Sequence, residues 1–187
     1  MSNPVLEAIA SRRSIRAYKD EQITQEQLTA ILNAGEQAPS ARNQQPWHFT
    51  AVQDAALISR VNEAFRAQAL KEMPDPMRKT IEDPAYSVFH HAPTVIFLSC
   101  PNLQQNAYAM TDNGMAIQNM ALAAYSLGLG SVILGMPRLA FQGAEADDLR
   151  STLQFPDGYD YCLSIAIGIP TATKEAHPIE PGHITRL

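Results

Sequence analysis

The run Thr94-Val-Ile-Phe-Leu-Ser-Cys100 constrains this chain more than any other stretch. It is apolar almost without interruption, and such a strand is stable when both of its faces are covered. Covering it requires helices, and the flanking sequence supplies them. Ser131-Val-Ile-Leu134 reads as a second buried strand, punctuated by Gly130 and Gly135. Trp47 to Val52 and Tyr159 to Gly168 read as two more, rich in aromatic and β-branched residues. Between these runs the apolar period changes to that of a helix. Asn3 and Pro4 open a short helix to about Ala10, with Val5, Leu6 and Ile9 on its apolar side. Thr24-Gln-Glu-Gln27 is a capping box for a helix to about Gln37 that carries Leu28, Ile31 and Leu32. Asp54 caps a third helix with Leu57, Ile58, Val61 and Phe65. The longest helix is expected from about Ala107 to Leu127, with Gly128 placed to end it, and another near Glu145 to Leu153. Strands and helices interleave around one sheet, so the 187 residues are expected to form a single α+β domain over 1–187.

Two segments lie outside this pattern. Met73 to Tyr86, with Pro74, Pro76 and Pro84, reads as a mobile connection with little regular structure and as a candidate lid. From Pro170 onward, prolines and glycines predict an extended arm. The net charge of −5 (14 Lys+Arg against 19 Asp+Glu) gives no global field favouring nucleic acid or an anionic membrane. Any anion site must therefore be built locally. Charged residues make up only 18%, which fits apolar surface covered by a partner subunit. Small residues in the longest helix, among them Gly114, Ala116 and Ala121, would let another backbone come close. Cys100 and Cys162 fit neither a CxxC motif nor a disulfide framework, and read as reduced, buried thiols of a cytoplasmic protein. The amino terminus lacks the basic and apolar regions of a signal peptide. The most apolar long window, Met110 to Met136, contains Asp112, Asn113, Gln118 and Asn119, so it is read as a buried helix and strand and not as a membrane span.

Several chemistries are disfavoured by spacing. His90 and His91 are adjacent, and in a strand their rings would point to opposite faces, so they would not share a metal. No HxxxH, HExxH, GxSxG or Walker pattern occurs, and Gly128-Leu-Gly130 follows a helix where a dinucleotide turn would follow a strand. What remains is Arg12-Arg13-Ser14-Ile15-Arg16, which packs three guanidinium groups and a hydroxyl into five residues. Arg presents a planar fork of donors matched to phosphate oxygens. The plain alternative is a solvated basic patch at the negative end of the first helix. The loop Pro39-Ser-Ala-Arg-Asn-Gln-Gln-Pro46 adds amides that donate and accept at once, as a pyrimidine-like edge requires, although most such loops are polar turns. Gly135, after a buried strand, would let the main chain approach a flat ring.

Arg12 to Tyr18, Ala38 to Trp47, Phe89-His-His-Ala-Pro93, Asp112-Asn-Gly114 with Ala116-Ile-Gln-Asn119, and Gly128-Leu-Gly-Ser131 together resemble the FMN-dependent nitroreductase family, in order and nearly end to end. The resemblance implies a mixed, mostly antiparallel central sheet flanked by helices, and a homodimer that exchanges its C-terminal arms and holds two FMN molecules at its interface. Arg12, Arg13, Ser14 and Arg16 would hold the phosphate and pyrimidine side. Pro39, Ser40, Ala41 and Asn43, supported by Gln45, would come from the other subunit. Leu134 and Gly135 would lie beside the isoalloxazine, with the Gly135 N–H facing N5. Family members commonly finish the phosphate site with basic residues after a Gly-Tyr-Pro turn; here Gly168-Ile-Pro170 is followed by Lys174, the residue chosen for that role. The implied activity is ping-pong, two-electron reduction of nitroaromatics, quinones or related acceptors with NADH or NADPH. No residue is assigned as nucleophile or general acid. The alternatives are a non-catalytic flavin-binding or storage protein, or a specialised dehalogenase, flavin-fragmenting or ene-type branch. Arg66, Arg78 and Lys79 are candidates to face a 2′-phosphate, or simply water.

Overall fold

A computed structural model describes residues 3–102 and 104–187. Four strands form the sheet: β1 (His48–Val52), β2 (Thr94–Pro101), β3 (Gly130–Leu134) and β4 (Tyr159–Gly168), in the order β1-β2-β4-β3. All three pairings are antiparallel. The expected parallel component is confined to an isolated bridge from Ser14, which lies in no named strand, to Ser131 of β3. The helices are α1 (Pro4–Ser11), α2 (Gln25–Glu36), α3 (Ala55–Glu72), α4 (Met77–Glu82), α5 (Ala109–Ser126) and α6 (Ala146–Thr152). The α+β class and the helix-flanked antiparallel sheet are as the sequence led one to expect.

The unbroken apolar run of β2 is explained by its two faces. Val95 and Phe97 point into a cluster with Val61 and Phe65 of α3 and with Phe89. Ile96, Leu98 and Cys100 point into the opposite cluster, with Ile31 of α2 and Ile117 and Met120 of α5. Successive side chains alternate between faces, and here both faces are dry. Each of these strand side chains is fully or almost fully buried.

The local signals act as their chemistry dictates. Asn3 Oδ1 accepts the Val5 and Leu6 N–H groups at 3.0 and 3.3 Å. Thr24 and Gln27 form the reciprocal capping box, and Asp54 caps α3 through the Leu57 N–H at 2.9 Å. Gly128, at φ +74°, ends α5 in the left-handed region that favours glycine.

Three expectations change. Residues 73–86 are more regular than their prolines suggested, because Ile81 of α4 is fully buried and anchors the segment. Arg66 then ties the segment to α3 by donating to the Asp83 and Tyr86 carbonyls at 2.6 and 3.3 Å. His90 and His91 lie in a turn before β2, both with left-handed φ (54° and 56°), so the strand argument about their rings does not apply. A 3-10 segment, Met136–Phe141, also follows β3 where no element was expected.

Candidate functional site

The basic segment leaves α1 and runs against the sheet edge. Ser14 bridges Ser131 in parallel, and Ile15 N–H donates to the Ser131 carbonyl at 2.9 Å. Gly130 makes this approach possible: a Cβ there would lie 2.9 Å from Ile15 Cγ2. The segment then crosses to the start of the C-terminal arm, with Lys19 N–H donating to Ile169 O at 2.9 Å and Thr171 N–H to Ala17 O at 3.1 Å. These contacts bring Lys174 to the arginines. A cavity of about 320 Å³ is lined by Arg12, Arg13, Ser131 and Lys174, and a neighbouring one of about 260 Å³ by Ser14, Arg16 and Lys174.

The electrostatics of this cavity are unbalanced. Among the described residues, every ion pair involves Arg60, Arg66, Arg78, Lys79 or Arg150, and none involves Arg12, Arg13, Arg16 or Lys174. Arg13 is partly committed to the end of α1, donating to the Ala10 and Arg12 carbonyls at 2.8 and 2.9 Å. The Nε atoms of Arg12 and Arg13 are buried with no partner. Buried donors in clustered cations call for an acceptor anion. The donor set fits a phosphate.

The amide loop is built elsewhere in the chain and held by α5. Both Asp112 carboxylate oxygens accept the Ala41 N–H at 3.2 Å. Asn113 Nδ2 donates to the Pro46 carbonyl at 3.1 Å. Within the loop, Gln45 N–H donates to Ser40 Oγ and Gln45 Nε2 to Asn43 Oδ1, both at 3.0 Å. Arg42, Asn43 and Gln45 all have left-handed φ (57°, 56° and 46°). Non-glycine residues persist in that region only when surroundings over-determine them, so the loop is rigid by construction. The sequence assigns Asp112 and Asn113 no site role; in the structure they hold this loop. Their signal lies in the sequence as polar side chains inside an otherwise apolar helix.

Leu134 and Gly135 stand at the far end of β3, with Gly135 exposed. The Leu134 carbonyl accepts from the Tyr161 hydroxyl at 2.8 Å. Neither residue lines the cavities of the basic segment, and neither does any residue of the 39–45 loop. One protomer thus presents the three predicted parts separately. Of the cations considered for a 2′-phosphate, Arg66 is spent on backbone carbonyls, Arg78 pairs with Asp75 and Glu82, and Lys79 pairs with Asp75. His90 lies near Arg16; burial, then the Arg16 and His91 charges, hold its pKa below the ordinary 6.5.

An antiparallel sheet covered on both faces, a cationic cavity whose donors suit a phosphate and an amide loop held by α5 define an α+β protein equipped with a candidate anion site. The sequence matches the Nitroreductase family over residues 9–169, and the chain belongs to that family. A nitroreductase with bound FMN from Bacteroides fragilis shares 32% identity and a TM-score of 0.92, with 100% of each chain covered. A protein of Archaeoglobus fulgidus, provisionally named NADH dehydrogenase/NAD(P)H nitroreductase, is 34% identical over 91% of this chain and 87% of its own. The NAD(P)H FMN reductase of Bacillus subtilis is 29% identical over 96% of this chain and 71% of its own.

Proposed function

We propose that the chain is an NAD(P)H-dependent FMN oxidoreductase of the nitroreductase type that works as a homodimer with the cofactor at the subunit interface. The observation that carries this reading is the cavity in which Arg12, Arg13 and Lys174 meet without an acidic partner among the described residues. Its setting is a chain whose relatives include FMN-bound nitroreductases.

Arg12, Arg13, Ser14, Arg16 and Lys174 would hold the phosphate and pyrimidine side of FMN. Pro39, Ser40, Ala41 and Asn43 of the second subunit, with Gln45 behind them, would hold the other side. Leu134 and Gly135 would lie along the ring, with the Gly135 N–H toward N5. FMN, when bound, supplies the two-electron chemistry, taking hydride from NADH or NADPH and passing it to a nitroaromatic or quinone acceptor in ping-pong order. The protein's share is positioning and electrostatics. Guanidinium groups fix the charged end, and a pre-strained loop fixes the ring without reorganisation. No side chain is assigned as nucleophile or general acid. Placement in the cytoplasm accords with the two free, buried thiols Cys100 and Cys162.

The purified protein is expected to be yellow, with the visible spectrum of bound flavin. It should oxidise NADH or NADPH steadily when a quinone or nitroarene is supplied. A colourless protein that stays colourless after mixing with FMN overturns the reading. A yellow protein that turns over no nicotinamide is instead a flavin-storing protein.

A further inference from the structure

β3 ends at Leu134, whose Cα pairs with that of Ser164 on β4. Three residues upstream on β4, Tyr161 sends its hydroxyl back to the Leu134 carbonyl at 2.8 Å. The same hydroxyl lies 3.0 Å from Ser164 Oγ. Ser164 is fully buried. Because the Tyr161 proton goes to the carbonyl, the Ser164 hydroxyl is the donor in the second bond. The Tyr161 ring is stacked on Phe141 with centroids 4.9 Å apart and planes at 14°, and Phe141 is stacked on Phe155 at 5.4 Å. The hydroxyl is therefore held in place by its own ring. Burial raises the Tyr161 phenol well above its usual pKa, which keeps it a donor throughout the working pH range.

The Leu134 carbonyl and the Gly135 N–H belong to one peptide unit. A trans peptide is planar, and its C=O and N–H point in opposite directions. A bond that fixes the carbonyl toward Tyr161 therefore fixes the Gly135 N–H away from Tyr161. A chain of donors ending on a carbonyl also polarises the amide and strengthens its N–H.

We propose that Tyr161 is a positioning residue for the reaction: through the Leu134 carbonyl it orients and polarises the Gly135 N–H that meets the flavin. This rests on the reading that the Gly135 N–H faces N5, where a stronger donor draws electron density from the ring and speeds arrival of hydride. Ser164 supports it one bond further back.

The test is Tyr161→Phe, which keeps the stacked ring and removes only the hydroxyl, with Ser164→Ala as a milder second variant. Two measurements are made. The first is the limiting rate of bound-FMN reduction by whichever of NADH or NADPH reduces the wild type. The second is the Gly135 amide resonance of 15N-labelled protein, with and without FMN. In wild type, FMN is expected to move the Gly135 amide proton downfield. In Tyr161→Phe the Gly135 15N shift should already differ before FMN is added, and the FMN-induced displacement should shrink. The reduction rate should fall about fivefold, the equivalent of one ordinary hydrogen bond, with FMN affinity within about twofold of wild type. Ser164→Ala should move both readouts the same way by less. An unchanged rate or an unchanged Gly135 amide in Tyr161→Phe overturns the proposal. A wild-type Gly135 amide that ignores FMN overturns the placement of Gly135 itself, and the proposal with it.

Discussion

Arg12 and Arg16 carry the charge of the candidate site in different settings. Arg12 is partly buried with an unpartnered Nε, whereas Arg16 is exposed and its Nη1 reaches only the Ser14 carbonyl at 3.4 Å. Removing either to alanine should weaken FMN binding, by about tenfold or more for Arg12, as expected for a charge-assisted bond worth roughly 1.5–3 kcal/mol. Flavin fluorescence titration measures this, and a full flavin complement in both variants contradicts the assignment. His90 adds a pH dependence whose sign follows from its environment. Its folded pKa lies below 6.5 through burial and the Arg16 and His91 charges, so the unfolded chain binds a proton that the folded chain refuses. Stability should therefore fall as pH drops through 6.5 and level off once the folded imidazole also protonates. In His90→Gln the urea midpoint should fall less between pH 7.5 and 5.5 than in wild type. At this scale the sequence identified residue types well, because Arg, Asn and Gln announce their donors. Commitment to a partner was not readable: Arg66, Arg78 and Lys79 look as free in the chain as Arg12, yet backbone carbonyls and carboxylates occupy them.

The elements nearest the site matter through how closely they pack. The edge of β3 accepts the Arg12–Arg16 segment only because Gly130 has no side chain, with Ile15 and Pro170 pressed over it. Gly130→Ala should push that segment outward and reduce FMN affinity although Gly130 supplies no side chain to bind it. Overpacking of this kind costs about 1–3 kcal/mol. Thermal unfolding and FMN titration should both register the change. The capping box of α2 and the Asp54 cap of α3 were legible because their bonds join residues three apart. The α4 helix was not, because its anchor Ile81 is one apolar residue among prolines and charges, and its burial is decided by distant elements. The same holds for the His90–His91 turn, whose left-handed backbone no local pattern marks.

The whole molecule leaves apolar surface unsatisfied. Val5, Leu6 and Ile9 of α1 are 62%, 64% and 53% exposed, although they form that helix's apolar side, and Ile179 and Ile184 of the arm are also bare. Exposed apolar groups of this extent suit the proposed subunit contact, and the arginine cavity and amide loop sit apart in one protomer. For the proposed homodimer, Leu6→Glu should thus shift the protein toward monomer in sedimentation or light scattering and lower its flavin content together. Loss of the dimer with flavin retained would separate assembly from cofactor binding. Residue type and spacing by themselves determined the doubly covered strand β2, the principal helices and the cation and amide types available for a phosphorylated ring. These follow from alternation, helical period and caps, which act over a few residues. Tertiary packing alone decided that Lys174 reaches the cavity of Arg12, that Asp112 and Asn113 clamp the 39–46 loop, and that Tyr161 grips the Leu134 carbonyl. Each of those contacts joins distant or differently facing segments whose meeting depends on burying both faces of one sheet, and no short window of sequence contains that information.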